Sequence, residues 1–269
     1  MNKKKIQQIF IEHNIEEAKT IEKIEIGFTN KIYSINNRYI IKVCENKDNE
    51  KMFEREVFFY NFFKDKISIP KIMVFDTSKR IYDKIFMIYP KIQGDNLYAK
   101  WHIINNNERE FIIKELCENL KIINNEPYEN FIKEFKLNAD VDWRKTIINK
   151  INHSLKEIEE IKLLPWAFIK HIKWFIESNH HVLDEQKIGL VYRDIHFDNI
   201  LVKDNQISGI LDFERTELAS IDYVLLIIKK MMEHPTKYMS EVWEKFAKKE
   251  DYAHLRNRFK EFYPELFEF

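Results

Sequence analysis

Only two cysteines occur in the chain, Cys44 and Cys117, and their separation matches no metal-ligand spacing. In a reducing compartment two such thiols stay free, so neither a disulfide framework nor redox chemistry is expected. Charge of one sign is lacking too, because Lys and Arg together number 44 and Asp and Glu together number 44. That balance argues against a polyanion such as nucleic acid as a partner. No apolar run reaches the length of a membrane span. The amino end, MNKKKIQQIFIEHN, has charge but neither a long apolar stretch nor a small-residue cleavage site. A cytoplasmic protein without membrane association is expected. There is no fixed repeat and no low-complexity tract, only a bias toward Lys, Asn and Ile. What is plentiful is core material: 45% of the 269 residues are hydrophobic and 21 are Phe, enough for one large domain or two lobes.

The order of patterns points to two lobes. Residues 5–20 read as a helix, and IEIGFTNKIYSINNRYIIKVCEN then alternates apolar and polar residues in strand-like runs broken at Gly27 and at Asn36-Asn37. NEKMFEREVFFYNFF has helical spacing, IPKIMVFDT and KIFMIYPKI read as strands, and Gly94 with Asp95 closes that block. From about residue 107 the pattern is mostly helical, through 111–123, 146–161 and 166–183, resuming at 220. One strand pair interrupts it, NILV and ISGILDF around the polar turn KDNQ. The sum is an α+β chain: a small antiparallel-sheet lobe over residues 1–92 and a larger, mainly helical lobe over 93–269. The cleft between them is the default ligand site.

Charged residues in apolar surroundings mark where chemistry would sit. In YIIKVC the strand period places Ile40, Lys42 and Cys44 on one face and Tyr39, Ile41 and Val43 on the other. An ammonium in such a strand needs an anionic partner, since desolvating it alone costs several kcal/mol. Helical spacing supplies one: Glu56 falls inside the apolar stripe of Met52, Phe53, Phe59, Tyr60 and Phe63, while Glu54 and Arg55 fall beside it.

The stretch VYRDIHFDNILVKDNQISGILDF adds the acidic half. Asp194, with Asn199 five positions later at the start of an apolar strand, gives a carboxylate that can accept a hydroxyl proton and an amide oxygen that can touch a hard cation. Asp212, at the end of the second strand, gives that cation a charged ligand. A phosphoryl transfer needs little more than such an oriented hydroxyl and a held metal ion.

YRDIHFDNIL resembles the H-G-D-x-H-x-x-N-[IV]-L segment of the aminoglycoside phosphotransferases and choline kinase-like relatives, small-molecule kinases with a protein-kinase-like fold. GILDFE is similar to the family's G-x-I-D-[FW] segment, GFTNKIY to its loop over the phosphates, and YPKIQG to its interlobe linker. The resemblance covers residues 27 to about 225. It implies Asp194 as the catalytic aspartate and Asn199 and Asp212 as Mg2+ ligands. ATP or GTP would be the co-substrate, held by Lys42, which Glu56 positions. It also implies Thr29 on the phosphates, carbonyl and N–H of Pro90 and Ile92 on the base, Ile40 and Leu211 covering the purine, and Tyr89 behind it.

The chain departs from the pattern at Tyr192 and Arg193, which stand where the family has His-Gly. Arg193 is expected beside Asp194, lowering its basicity. His196 is expected to serve an internal hydrogen bond, and Glu214 to lie at the surface, with a place supporting the metal ligands as the alternative. The first-choice acceptor is an aminoglycoside, which as a polycation would be met by carboxylates, with Asp140, Asp142, Glu157, Glu159, Glu160, Glu217, Glu233 and the terminal carboxylate of Phe269 as candidates. A metabolite kinase acting on an amino alcohol, sugar or homoserine-like molecule is the alternative, and a nucleotide-binding pseudoenzyme comes third. A small-molecule substrate and a monomeric chain are expected, and the pseudoenzyme would bind nucleotide or a partner without turnover.

Overall fold

The computed structural model describes residues 1–24, 30–138, 141–239 and 241–268. Thr29, Gly27, Asp140 and Phe269 lie outside the described residues.

The sheet lobe opens with α1 (Lys3–Glu12), capped by Asn2, whose side chain accepts from the Lys5 N–H at 3.0 Å. The helix stops well short of residue 20 because Asn14 turns left-handed, at φ 53°. Strands β1 (Ile21–Ile24), β2 (Asn30–Ile35) and β3 (Tyr39–Cys44) follow, then α2 (Glu50–Phe63), β4 (Val74–Asp76) and β5 (Phe86–Pro90). The strands form a five-stranded antiparallel sheet in the order β1-β2-β3-β5-β4. The β2–β3 turn is made by Asn36 and Asn37, both left-handed at φ 53°, a geometry that asparagine tolerates.

β3 is the centre of the sheet and its two faces serve different interiors. Ile41 and Val43 pack with Ile6, Phe10, Tyr33 and Ile88 beneath α1. Ile40 and Cys44 pack with Phe53, Tyr60 and Met87 and, beyond them, with the helical lobe. α2 crosses this second face, and each fully buried Phe on it contributes about 1.5–3 kcal/mol of transfer free energy.

The helical lobe begins with a short β6 (Asp95–Asn96) and continues through α3 (Leu97–Trp101), α4 (Asn106–Asn125), α5 (Glu129–Phe135), α6 (Trp143–Glu160) and α7 (Trp166–Asn179). Then come β7 (Ile188–Val191), β8 (Ile200–Lys203), β9 (Gln206–Ile210), β10 (Glu217–Ser220), α8 (Val224–Glu233), α9 (Glu241–Glu244) and α10 (Leu255–Phe262). β8 and β9 are the expected hairpin, turned tightly by Asp204 and Asn205 at φ 52° and 62°, and β6 extends it to three strands. A second pair, β7 with β10, brackets this hairpin and was not expected. β7 is an all-apolar IGLV without alternation, too short to tell from helix by period alone. Gly189 lets β7 press on α4, since a Cβ there would stand 2.4 Å from the Asn124 carbonyl oxygen. Cys44 and Cys117 are both free and buried. No helix among the described residues is long and apolar enough to cross a membrane.

Candidate active site

Lys42 projects from the interlobe face of β3. Its Nζ lies 2.8 Å from both carboxylate oxygens of Glu56 and also donates to Asp212 Oδ1. Lys42 and Glu56 are buried, whereas the Asp212 side chain is 40% exposed, so Asp212 is the member of the triad that faces solvent. The helix stripe thus delivers Glu56, the strand period delivers Lys42, and the end of β9 delivers Asp212.

One residue ties these elements together. Tyr60, one helical turn beyond Glu56, donates its hydroxyl to Glu56 Oε1 at 2.7 Å and accepts the backbone N–H of Asp212 at 3.0 Å. Asp212 needs that support because it is left-handed, with φ 57° and ψ 61°, a region disfavoured for residues with a Cβ though less so for Asp. Tyr192 holds the residue before it: its hydroxyl donates to the Leu211 carbonyl at 2.6 Å and its ring stacks on Phe213, centroids 4.6 Å apart. The departure from His therefore fills a structural place. Sequence reading put Tyr60 in the apolar stripe without a polar role; its position four after Glu56 was the available signal.

One ammonium between two carboxylates sets the electrostatics. Burial opposes the Lys42 charge, but Asp212 and Glu56 outweigh it and hold its pKa well above the ordinary lysine value. Glu56, wholly buried, is pushed up to about 7 by desolvation despite Lys42. Burial also acts against Asp212, yet there the Lys42 ammonium prevails and its pKa lies below the usual aspartate value. The triad keeps an ionised carboxylate at the cleft.

Asp194 and Asn199 come from the turn between β7 and β8. Asn199 Nδ2 donates to the Asp194 carbonyl at 2.9 Å. A carbonyl can only accept, so the amide nitrogen must occupy that end, leaving Oδ1 as the acceptor. The Asn199 carbonyl in turn takes the Leu211 N–H at 2.9 Å, joining this turn to the residue preceding Asp212. His196 has its Nε2 3.4 Å from Asn199 Nδ2, and burial lowers its pKa, keeping the ring neutral.

Two expectations are corrected here. Arg193 does not lie against the Asp194 carboxylate; it turns to Glu217 Oε1 at 2.9 Å and stands over the Tyr223 ring, 5.0 Å from its centroid. The cation that does touch Asp194 is Arg215, with Nε 3.6 Å from Oδ2, and burial outweighs it, so the Asp194 pKa is raised rather than lowered. Glu214 is buried, not at the surface. It accepts from Asn30 Nδ2 at 3.4 Å, and desolvation raises its pKa. Glu217 and Tyr223 draw Arg193 away, while the 3-10 turn Phe213–Arg215 places Glu214 inward and Arg215 near Asp194.

The linker follows β5. Ile40 is buried and pairs across the sheet with Tyr89, itself buried 6.3 Å from the Tyr60 ring; Pro90 is exposed. The Ile92 side chain rests on Gly209, where a Cβ would come within 2.8 Å of Ile92 Cδ1. Leu211 is half-buried beside Asp212. Structure therefore brings together Lys42, Glu56, Asp212, Asn199 and Asp194 along one seam, with Ile40, Pro90, Ile92 and Leu211 on its border. A separate polar hollow of about 490 Å³ between α4 and α10 shares no lining residue with this seam. Its charges are mutually paired, as in Arg109–Asp251 at 3.0 Å and Arg258–Glu110 at 2.7 Å.

A strand-borne lysine clamped by a helix glutamate, opposite a turn carrying Asp and Asn and a hairpin ending in Asp, defines a kinase-type phosphotransferase. The model of the phosphotransferase enzyme family matches residues 20–250, and the chain belongs to that family. Solved structures with the same fold include the streptomycin–ATP ternary complex of APH(2")-IIa, at TM-score 0.68 and 18% identity, covering 100% of this chain and 97% of that one. The GDP complex of aminoglycoside 2'-phosphotransferase-IIIa superposes at TM-score 0.70 and 16% identity, covering 100% and 97%. Aminoglycoside phosphotransferase APH(4)-Ia does so at 0.66 and 13%, covering 99% and 85%. No curated protein sequence matches this chain. The small antiparallel-sheet lobe with its helical partner is thus the protein-kinase-like fold of these enzymes, and small-molecule phosphotransfer is the activity of its family.

Proposed function

We propose that the chain transfers the γ-phosphate of ATP or GTP to a small-molecule hydroxyl, between a nucleotide lobe at 1–92 and a catalytic lobe at 93–269. The convergence of Lys42, Glu56 and Asp212 carries this reading: a buried ammonium with two carboxylates is one arrangement a triphosphate with its cation can enter, exchanging partners rather than losing them. Lys42 contacts phosphate oxygens and Glu56 fixes its direction. The backbone of Pro90 and Ile92 meets the base, with Ile40 and Leu211 on its two faces; Thr29, outside the described residues, is assigned to the phosphates from the sequence resemblance alone.

The donor set fits magnesium. Asp212 and the Oδ1 of Asn199 are hard oxygens that would hold the ion, and Mg2+ needs only one or two such protein ligands because it keeps several waters and takes substrate phosphates. Bound there, the ion would neutralise charge on the transferring phosphoryl group. Asp194 accepts the proton of the attacking hydroxyl, its raised pKa making it a better base than a solvated aspartate.

For the acceptor, an aminoglycoside is the first reading, supported by neighbours whose structures hold streptomycin, gentamicin and kanamycin. A specific observation favours a metabolite instead. Among the described residues, the carboxylates expected to greet a polycation already have partners: Glu217 has Arg193 and Lys150, Glu159 has Lys173 at 2.7 Å, and Glu160 has Lys156 at 3.9 Å. Glu233 has Lys229 at 3.8 Å, Glu157 lies 3.5 Å from His153, and Asp142 caps α6 through the Lys145 N–H at 2.8 Å.

A coupled nucleotide assay over aminoglycosides, amino alcohols, sugars and hydroxy amino acids, run with ATP and with GTP and with magnesium withheld, separates the two. Asp194→Asn should lower turnover about 10²–10⁴-fold while leaving nucleotide affinity intact. Unchanged turnover removes Asp194 from its role, and nucleotide binding without turnover on any acceptor would make the chain a pseudoenzyme.

A further inference from the structure

The hairpin of α6 and α7 leaves a broad apolar surface uncovered. Ile169 is the one buried residue of α7, whereas Trp166 is 71% exposed, Phe168 62%, and Trp174 and Phe175 57% each. The connection before the helix adds Ile161 and Leu163, and the turn after it adds Val182. Single exposed apolar side chains are ordinary, but this concentration is not. At 100° per residue, Trp174, His171, Phe175 and Phe168 share an arc of about 120° next to the inward residues Ile169, Ile172 and Ile176. His171 stacks on Trp174 within it, ring centroids 5.5 Å apart.

We infer that this face of α7 is the contact surface of a homodimer. Its area suits a weakly held second copy. Phe168, Trp174 and Phe175 on the arc, each showing roughly three-fifths of about 150–250 Å², offer on the order of 350 Å². That is less than half of the roughly 800 Å² per partner of a standard interface, so the dimer is weak and forms toward the top of the concentration range. Its charges are self-complementary as well, which a two-fold contact demands. Lys170 and Glu177 are seven residues apart, hence two turns apart on one side of the helix, bordering the arc beside Trp174. Two α7 helices running antiparallel about an axis between Lys173 and Trp174 set Lys170 of each copy opposite Glu177 of the other. A lipid surface is the poorer match: the arc's border carries Glu177 as well as Lys170, so no net positive strip flanks the apolar arc. The proposed dimer departs from the monomer expected from sequence and is independent of the acceptor.

Sedimentation velocity of the full chain from about 1 to 100 µM tests this. The expected top-concentration species has twice the 33.0 kDa chain mass, and the Phe168→Glu, Phe175→Glu double variant should sediment as a monomer with the wild-type circular dichroism spectrum. Lys170→Glu alone should weaken the dimer by roughly three- to tenfold, and adding Glu177→Lys should restore it, which a merely sticky face would not do. A wild-type monomer at 100 µM overturns the proposal. So does a chain that is monomeric in buffer yet co-sediments with phosphatidylcholine vesicles, or a Lys170→Glu variant that dimerises like wild type.

Discussion

Replacing Tyr60 by Phe removes one oxygen atom and keeps the ring that lies 5.9 Å from Phe213 and 6.3 Å from Tyr89. The oxygen makes two bonds in a fully buried place: one to an acceptor that shares the Lys42 charge, and one from the Asp212 N–H. A hydrogen bond to a charged group contributes about 1.5–3 kcal/mol, and a buried donor left unpaired costs about 1–3 kcal/mol. The expected loss is about 3 kcal/mol, which for a chain of this length lowers Tm by roughly 6–12 °C. Function should change in a particular way. Asp212 loses the bond that restrains its left-handed backbone, so half-maximal turnover should require more Mg2+, with a smaller change in acceptor KM. Denaturation in urea gives the first quantity and magnesium titration of the steady-state rate the second. A double-mutant cycle with Glu56→Gln should show a coupling of about 0.5–3 kcal/mol. If Tyr60→Phe changes stability by under about 0.5 kcal/mol, or if the two substitutions add, the hydroxyl does not bridge helix and hairpin as described.

Two further outcomes follow from the same geometry. As the proposed base, Asp194 must be unprotonated to accept a proton, so kcat/KM should rise with pH through its pKa; since burial raises that pKa and Arg215 opposes the rise, the acid limb should lie above the ordinary aspartate range and move higher still in Arg215→Gln. A limb that stays put or moves down in that variant would contradict the Arg215 contact. Gly189→Ala would drive a Cβ against the Asn124 carbonyl, and an overpacking cost of about 1–3 kcal/mol should appear in urea denaturation; a neutral result would mean that β7 and α4 separate easily.

Much of the fold was legible because its polar residues stand where a period says apolar ones belong. Lys42 in β3 and Glu56 in α2 are conspicuous for that reason, and they meet at 2.8 Å. The Asn36-Asn37 and Asp204-Asn205 turns declared themselves through residues that accept positive φ. What was hidden depended on three-dimensional neighbours rather than on spacing. β7 and β10 pair across the whole β8–β9 hairpin, so neither carries a local signal. Arg193 was expected beside Asp194 because it is its neighbour in sequence, whereas Arg215 gave no such sign and comes to Asp194 through the 3-10 turn Phe213–Arg215. Glu214 read as surface because nothing local reveals that Asn30, on the other lobe, reaches it.

β3 alternates between two interiors, with Ile41 and Val43 in one and Ile40, Lys42 and Cys44 facing the other. A slip of one residue against β2 or β5 would bury the ammonium under α1, far from any carboxylate that answers it, and thrust isoleucine into the seam. Lys42 is thereby a proofreading device for assembly: a misaligned sheet is penalised at the very position on which the proposed site depends, so correct strand alignment and formation of the Lys42–Glu56–Asp212 cluster are selected together.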